Sequence, residues 1–228
     1  ITNQKKSPLA NNSDFVIDIQ AGAELSVAAT KSYSAQLGAI AMLSAAWNNN
    51  ENQWKEILQV PGFLEQALGV ESKISTFASR FRYMDQCVVL GRGYNYATAY
   101  EWALKLKELT YVGAQPYSSA DFLHGPIALV SNGFPVFAIA PQGKVFDDMA
   151  ELLTDLKQNR KADLFLVSDN HTLLDIADCP IPLPENIPEW LTPIIGILPA
   201  QLFSYHLTLV KGINPDAPRG LSKVTRTN

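Results

Sequence analysis

Cys87-Val88-Val89-Leu90-Gly91-Arg92-Gly93-Tyr94-Asn95 is the stretch that decides the fold class of this 228-residue chain. Four consecutive apolar residues suit a strand buried on both faces, as in a parallel sheet. The glycines that follow permit a tight turn, and a helix is predicted over residues 95–110. Strand, glycine turn and helix together make the repeating unit of an α/β fold. Two more strands are expected at 136–140 and 164–167, separated by a helix over 146–158. Upstream, residues 15–19 read as a short buried strand, and an Ala-, Leu- and Ile-rich helix is predicted over 30–47. A second helix, over 63–81, has enough polar residues for one wet face. Six prolines between Pro180 and Pro199 predict a strand edge and loop there, because proline breaks a helix interior.

Composition narrows the classes of function. At 47% hydrophobic and 18% charged residues the chain can build a core, which excludes a disordered or fibrous protein. A net charge of -4, with no basic stripe, argues against nucleic acid as a partner. The longest apolar run, 193–210, is interrupted by Gln201, Ser204, His206 and Thr208 and by two prolines, so a buried helix is expected rather than a membrane span. Cys87 and Cys179 lack CxxC spacing and read as reduced core thiols, which fits a cytoplasmic protein.

The beginning of the chain echoes its last third. Ala35-Gln36-Leu37 recurs as Ala200-Gln201-Leu202, and in both places the matching helix follows a predicted strand and loop. Two similar α/β lobes are therefore expected, the first present only in its closing part. The expected organisation is 1–60 for that part, 61–83 for a connecting helix and 84–228 for the second lobe and tail.

A few residues could carry chemistry. Glu101, Lys105 and Glu108 fall at i, i+4 and i+7 and share one helix face. That spacing fits a solvated ion-pair ladder, and it fits equally a partly buried Glu108 with a raised pKa suited to proton transfer. His124, in Asp121-Phe122-Leu123-His124-Gly125-Pro126, sits at an element end, where a histidine serves either structure or acid–base work. The tail from Lys211 carries Lys211, Arg219, Lys223 and Arg226 against Asp216, either as a frayed terminus or as a segment closing over an anion. Ser26, Thr30 and Ser32 at a helix start suit an N-cap or an anion. Gly91-Arg92-Gly93 lacks the third glycine of a dinucleotide loop, so no nucleotide cofactor is expected.

Four stretches in order resemble the sugar isomerase (SIS) family. They are residues 21–32, Gly91-Arg92-Gly93 with Ala103-Leu104-Lys105-Leu106-Lys107-Glu108, then His124-Gly125-Pro126, and finally Pro218-Arg219-Gly220-Leu221-Ser222-Lys223. Within the family they are similar to the isomerase domain of glutamine:fructose-6-phosphate aminotransferase and to glutaminase-free glucosamine-6-phosphate deaminases. The resemblance implies two SIS lobes with flavodoxin-like parallel sheets flanked by helices, the first incomplete here. Nothing matches the family's phosphate loop, so either on the order of a hundred further residues are expected upstream, the favoured reading, or that function is lost.

The resemblance also implies roles. Glu108 would move a proton between C1 and C2 of an open-chain hexose or amino-sugar 6-phosphate. His124, supplied across a homodimer interface, would open the ring. Lys223 would act at the reacting carbonyl, with Ser222 beside it; Val27 would line the sugar pocket and Lys105 would stand near the base. No metal or cofactor is implied, and no membrane. The tail Leu221-Ser222-Lys223-Val224-Thr225-Arg226-Thr227 puts a deaminase first, converting glucosamine 6-phosphate to fructose 6-phosphate and ammonia. The alternatives are the synthase's isomerase domain, a fructosamine phosphate deglycase, and a non-catalytic sugar-phosphate-binding module.

Overall fold

The computed structural model describes residues 1–223. Helices come first: α1 (Pro8–Asn11), α2 (Lys31–Trp47), α3 (Glu51–Ile57), α4 (Val60–Leu68) and α5 (Glu71–Ala78). The α/β part then runs β1 (Gln86–Leu90), α6 (Asn95–Lys105), β2 (Gly113–Tyr117), α7 (Ser119–Leu123), β3 (Pro135–Ile139), α8 (Phe146–Gln158), β4 (Asp163–Ser168), α9 (His171–Leu174), β5 (Cys179–Pro182) and α10 (Thr192–Val210). All five strands are parallel, in the order β2-β1-β3-β4-β5. This is the α/β three-layer architecture expected from the sequence, with one lobe complete.

The turn after β1 explains why its glycines are needed. A Cβ on Gly91 would lie 2.2 Å from the Asn95 carbonyl oxygen, so only glycine lets α6 start so close to the strand. Gly93 holds φ +59°, a left-handed conformation that glycine adopts without strain.

Two layers flank the sheet. On one face α5, α6 and α10 bury Ile74, Trp102 and Phe203 against Val89, Phe137 and Phe165. Phe165 and Phe203 meet at a tilt of 59° with ring centroids 4.7 Å apart, and Trp102 meets Phe137 edge-on at 5.2 Å. On the other face α7, α8 and α9 bury Phe122, Leu153 and Leu173 against Val88, Val136 and Leu164. Cys87 and Cys179 are buried free thiols, and burial pushes the Cys179 thiol up to about 12.

Three elements differ from the sequence expectation. Residues 15–19 form no strand: a single bridge joins Thr2 to Asp18, and Phe15 is 92% exposed. An apolar run becomes a buried strand only beside partner strands, and here it meets one bridging residue. The helix expected over 63–81 is broken at Gly69 and Val70 into α4 and α5, and ends in a 3-10 turn at Ser79–Phe81. The proline-rich segment gives edge strand β5, as expected, but its last two prolines, Pro193 and Pro199, belong to α10, the buried helix expected over 193–210, and not to the loop. Pro193 occupies the first turn, where no intrahelical N–H is required. Pro199 sits in the helix interior, at a cost of about 3 kcal/mol that the burial of the surrounding helix offsets. By length and composition 189–210 could cross a membrane, but 61% of it is buried in the core.

Candidate active site

The site is built at the C-terminal end of α6. There the helix passes into a π-turn at Leu106–Thr110, a form that inserts an extra residue into the turn and is frequent at functional positions. Lys105 Nζ lies 2.6 Å from Glu108 Oε2 and 3.5 Å from Glu101 Oε1. The ladder is not solvated. Lys105 is only 3% exposed, Glu101 11% and Glu108 27%, so one buried ammonium serves two carboxylates. Burial drives the Glu101 carboxyl above its ordinary range, with Glu108's charge adding to the rise and Lys105 opposing it. Tyr111 closes the turn with a left-handed backbone, φ 60° and ψ 20°.

A second group of residues surrounds the start of α2. The Glu24 carboxylate accepts the Ser32 N–H at 3.0 Å and so takes the place that an external anion could hold at this helix start. Burial pushes the Glu24 carboxyl up, but hydrogen bonds from Ser32 and Thr30 and the charge of Lys223 together hold it below its ordinary value. Thr30, expected as a capping hydroxyl, occupies the N-cap position without a side-chain capping bond. Lys223 Nζ donates to the Ser26 carbonyl at 2.6 Å, next to Val27. Ser222 immediately precedes Lys223 and is exposed.

The tail joins the two groups. The Arg219 N–H donates to the Tyr111 hydroxyl at 2.6 Å, and the Arg219 guanidinium lies 4.5 Å from the Tyr111 ring centroid. The structure thus brings Lys105 and Glu108 together, and Lys223 alongside Val27, through a tail anchored three residues beyond Glu108. Arg226 and the rest of 224–228 lie outside the described residues. His124 stands elsewhere, exposed at the end of α7. Phe122 of α7 packs in the opposite layer from α6, so the sheet separates His124 from Glu108. Among the described residues no hydrogen bond or ion pair joins His124 to Glu108, Lys105 or Lys223. Sequence reasoning missed Tyr111 altogether: a left-handed tyrosine after a π-turn leaves no compositional or periodic signal.

Comparisons with known proteins fit this architecture. The SIS domain model matches residues 1–46 and 81–211. The glutamine–fructose-6-phosphate aminotransferase (isomerizing) of Thermococcus kodakarensis is 36% identical over 232 residues, which cover 98% of this chain and 38% of that protein. The protein of the same name from Bacteroides thetaiotaomicron is 35% identical over 215 residues, 90% of this chain and 35% of its own length. The chain therefore spans little more than a third of the curated relatives it matches. Among solved structures, the C-terminal domain of glucosamine-fructose-6-phosphate aminotransferase from Francisella tularensis superposes with a TM-score of 0.85 at 28% identity, covering 94% of this chain and 63% of that one. Glucosamine-6-phosphate deaminase from Thermotoga maritima gives 0.74 at 25%, covering 96% and 64%. With the family model matching most of its length and relatives above 30% identity along nearly all of it, this chain belongs to the SIS domain family.

Proposed function

We propose that this chain is the isomerase part of an enzyme of the glutamine–fructose-6-phosphate aminotransferase type, acting on a hexose or amino-sugar 6-phosphate. The observation that carries the reading is the Lys105–Glu108 contact of 2.6 Å at the π-turn, a carboxylate held by a buried cation at the mouth of a clasped tail. The relatives' shared name, at about a third identity over nearly the whole chain, favours this reading over the deaminase that the tail sequence put first. The Thermotoga maritima structure keeps the deaminase as the second reading.

In the proposed reaction the Glu108 carboxylate removes a proton from one of C1 and C2 of the open-chain sugar. The C–H electron pair becomes the C1=C2 double bond as the π pair of the neighbouring C=O or C=N moves onto its oxygen or nitrogen, which takes up a proton and gives an enediol or enolamine. The same carboxyl then returns its proton to the other carbon while the hydroxyl on the first carbon gives up its proton and becomes the new C=O. Lys105 orients that carboxylate, and Glu101 holds Lys105 from its far side. Lys223 stands at the reacting carbonyl, as a fixed charge or, once deprotonated, as a Schiff-base partner. Val27 and Ser222 border the sugar. His124 opens the ring from a second copy of the chain, a reading compatible with α7 packing in the layer opposite α6 within one copy. Such a metabolic enzyme would work in the cytoplasm.

The test is made on the complete protein. Glu108→Gln is expected to abolish exchange of the C1/C2 proton of fructose 6-phosphate with deuterated solvent while phosphosugar binding persists. Unchanged exchange in that variant removes Glu108 from the mechanism. Glucosamine 6-phosphate formed from fructose 6-phosphate with glutamine supports the first reading, whereas ammonia released from glucosamine 6-phosphate without glutamine supports the second.

A further inference from the structure

Hydrogen bonds hold the segment 215–223 to the body near both ends and in its middle, where Pro218 is also buried. The Ser26 hydroxyl donates to the Pro215 carbonyl at 3.5 Å, and the Ser26 carbonyl accepts from Lys223 Nζ at 2.6 Å. Midway, the Tyr111 hydroxyl accepts the Arg219 N–H at 2.6 Å while the guanidinium rests over the ring at 4.5 Å. Ser26 therefore holds both ends and Tyr111 the middle.

Tyr111 does this at the expense of a strained backbone. Its φ of 60° lies in the left-handed region, where a bulky residue is an outlier and glycine is at ease. Glycine would satisfy the turn, but it would supply neither the hydroxyl nor the ring that hold Arg219. Strain of this kind persists where the surroundings over-determine a residue, and it gathers at functional sites. The same residue closes the π-turn, so its backbone is rigidly tied to Glu108, three residues back.

We infer that Tyr111 is a positioning residue, which sets the tail that carries Lys223 in register with Glu108 by gripping both the backbone and the guanidinium of Arg219. This rests on the proposed function for its effect on turnover, but not for its effect on the tail. Lys223 follows Arg219 by four residues, so at about 3.4 Å per residue a tail released at Arg219 lets Lys223 range over roughly 14 Å. The hydroxyl and the ring are separate handles, and conservative substitutions separate them. Tyr111→Phe keeps the ring and loses the acceptor; Tyr111→Leu loses both.

The experiment compares the complete protein with these two variants. Tryptic cleavage after Arg219 and Lys223, followed by mass spectrometry, reads the fraction of time the tail is open. Cleavage is expected to rise about 5-fold in Tyr111→Phe and further in Tyr111→Leu, the first figure corresponding to one ordinary hydrogen bond. Turnover of fructose 6-phosphate should fall in the same order, with kcat reduced and KM within about two-fold, since the phosphate end of the sugar is untouched. Melting temperatures report whether each variant is folded. Equal cleavage in all three proteins overturns the inference, as does a loss of kcat with no change in cleavage. If the wild-type protein turns over no phosphosugar, the functional reading fails while the cleavage rates still decide the role of Tyr111.

Discussion

Helices α2 and α10 share Ala-Gln-Leu, at residues 35–37 and 200–202, and both are apolar around most of their circumference. Their fates differ. The helix α10 lies on the sheet and buries Ile195, Phe203 and Leu207 completely, and Gln201 reaches across to the Thr30 carbonyl at 3.4 Å. The helix α2 leaves Ile40, Met42 and Leu43 exposed, and Trp47 is 85% exposed. Similar sequence becomes core where a sheet lies beneath it and surface where none does, so burial belongs to the layer rather than to the helix.

This contrast can be broken by measuring stability in each layer. Phe203→Ala removes a buried ring packed against Phe137 and Phe165, and a loss of about 3–5 kcal/mol is expected from chemical denaturation. A loss under about 1 kcal/mol would show that α10 is not the packed member of the pair. Next comes Lys105→Met on neighbouring α6, which leaves Glu101 and Glu108 facing each other without their cation. Its cost is expected near the lower end of the roughly 3–5 kcal/mol for breaking a buried pair, because Glu108 keeps some solvent. Stability equal to wild type would mean that the ammonium is dispensable to the fold.

A smaller effect depends on pH. Burial raises the Asp178 carboxyl, but hydrogen bonds from Lys157 and the Leu164 N–H outweigh it and hold the group below its ordinary range. A carboxylate lowered on folding stabilises above its unfolded pKa, about 3.9, and that contribution is lost as pH falls through the folded value. Asp178→Asn should therefore be less stable than wild type at pH 7, with the gap starting to close only as pH falls below about 4 and vanishing below the folded pKa in acid titrations of unfolding. A constant gap across that range would exclude Asp178 as the source. The raised carboxyl of Glu101 works in the opposite sense, its contribution being present at low pH and lost as pH rises through its folded value. The smallest effect belongs to α2: Trp47→Gln should change stability by less than about 0.5 kcal/mol in this chain. A larger loss in the complete protein would show that the outer face of α2 is packed there, and the two helices would then be alike.

The same contrast explains what could be read in the sequence. Residues 87–90, the glycine turn, the helix at 146–158 and the strands at 136–140 and 164–167 were legible because each lies in or beside a sheet whose burial matches its apolar pattern, whereas the helix at 30–47 was legible from its helix-forming composition alone. Residues 15–19 carry the same pattern, but pattern alone does not say whether a partner strand stands beside it. At 193–199 the proline signal for a loop and the apolar run's signal for a buried helix disagreed, and the burial around Pro199 decided for the helix. At the site, the shared face of Glu101, Lys105 and Glu108 followed from helical spacing, whereas the choice between ladder and buried pair needed the packing of Lys105. The π-turn and the left-handed Tyr111 depend on contacts with a tail more than a hundred positions away, to which no local rule gives access.

The two outer strands of the sheet carry prolines, Pro116 in β2 and Pro180 and Pro182 in β5. A proline has no N–H to offer a neighbouring strand, so neither margin is a good template for growth. The sheet thus discourages strand addition at both of its sides without needing a covering element there.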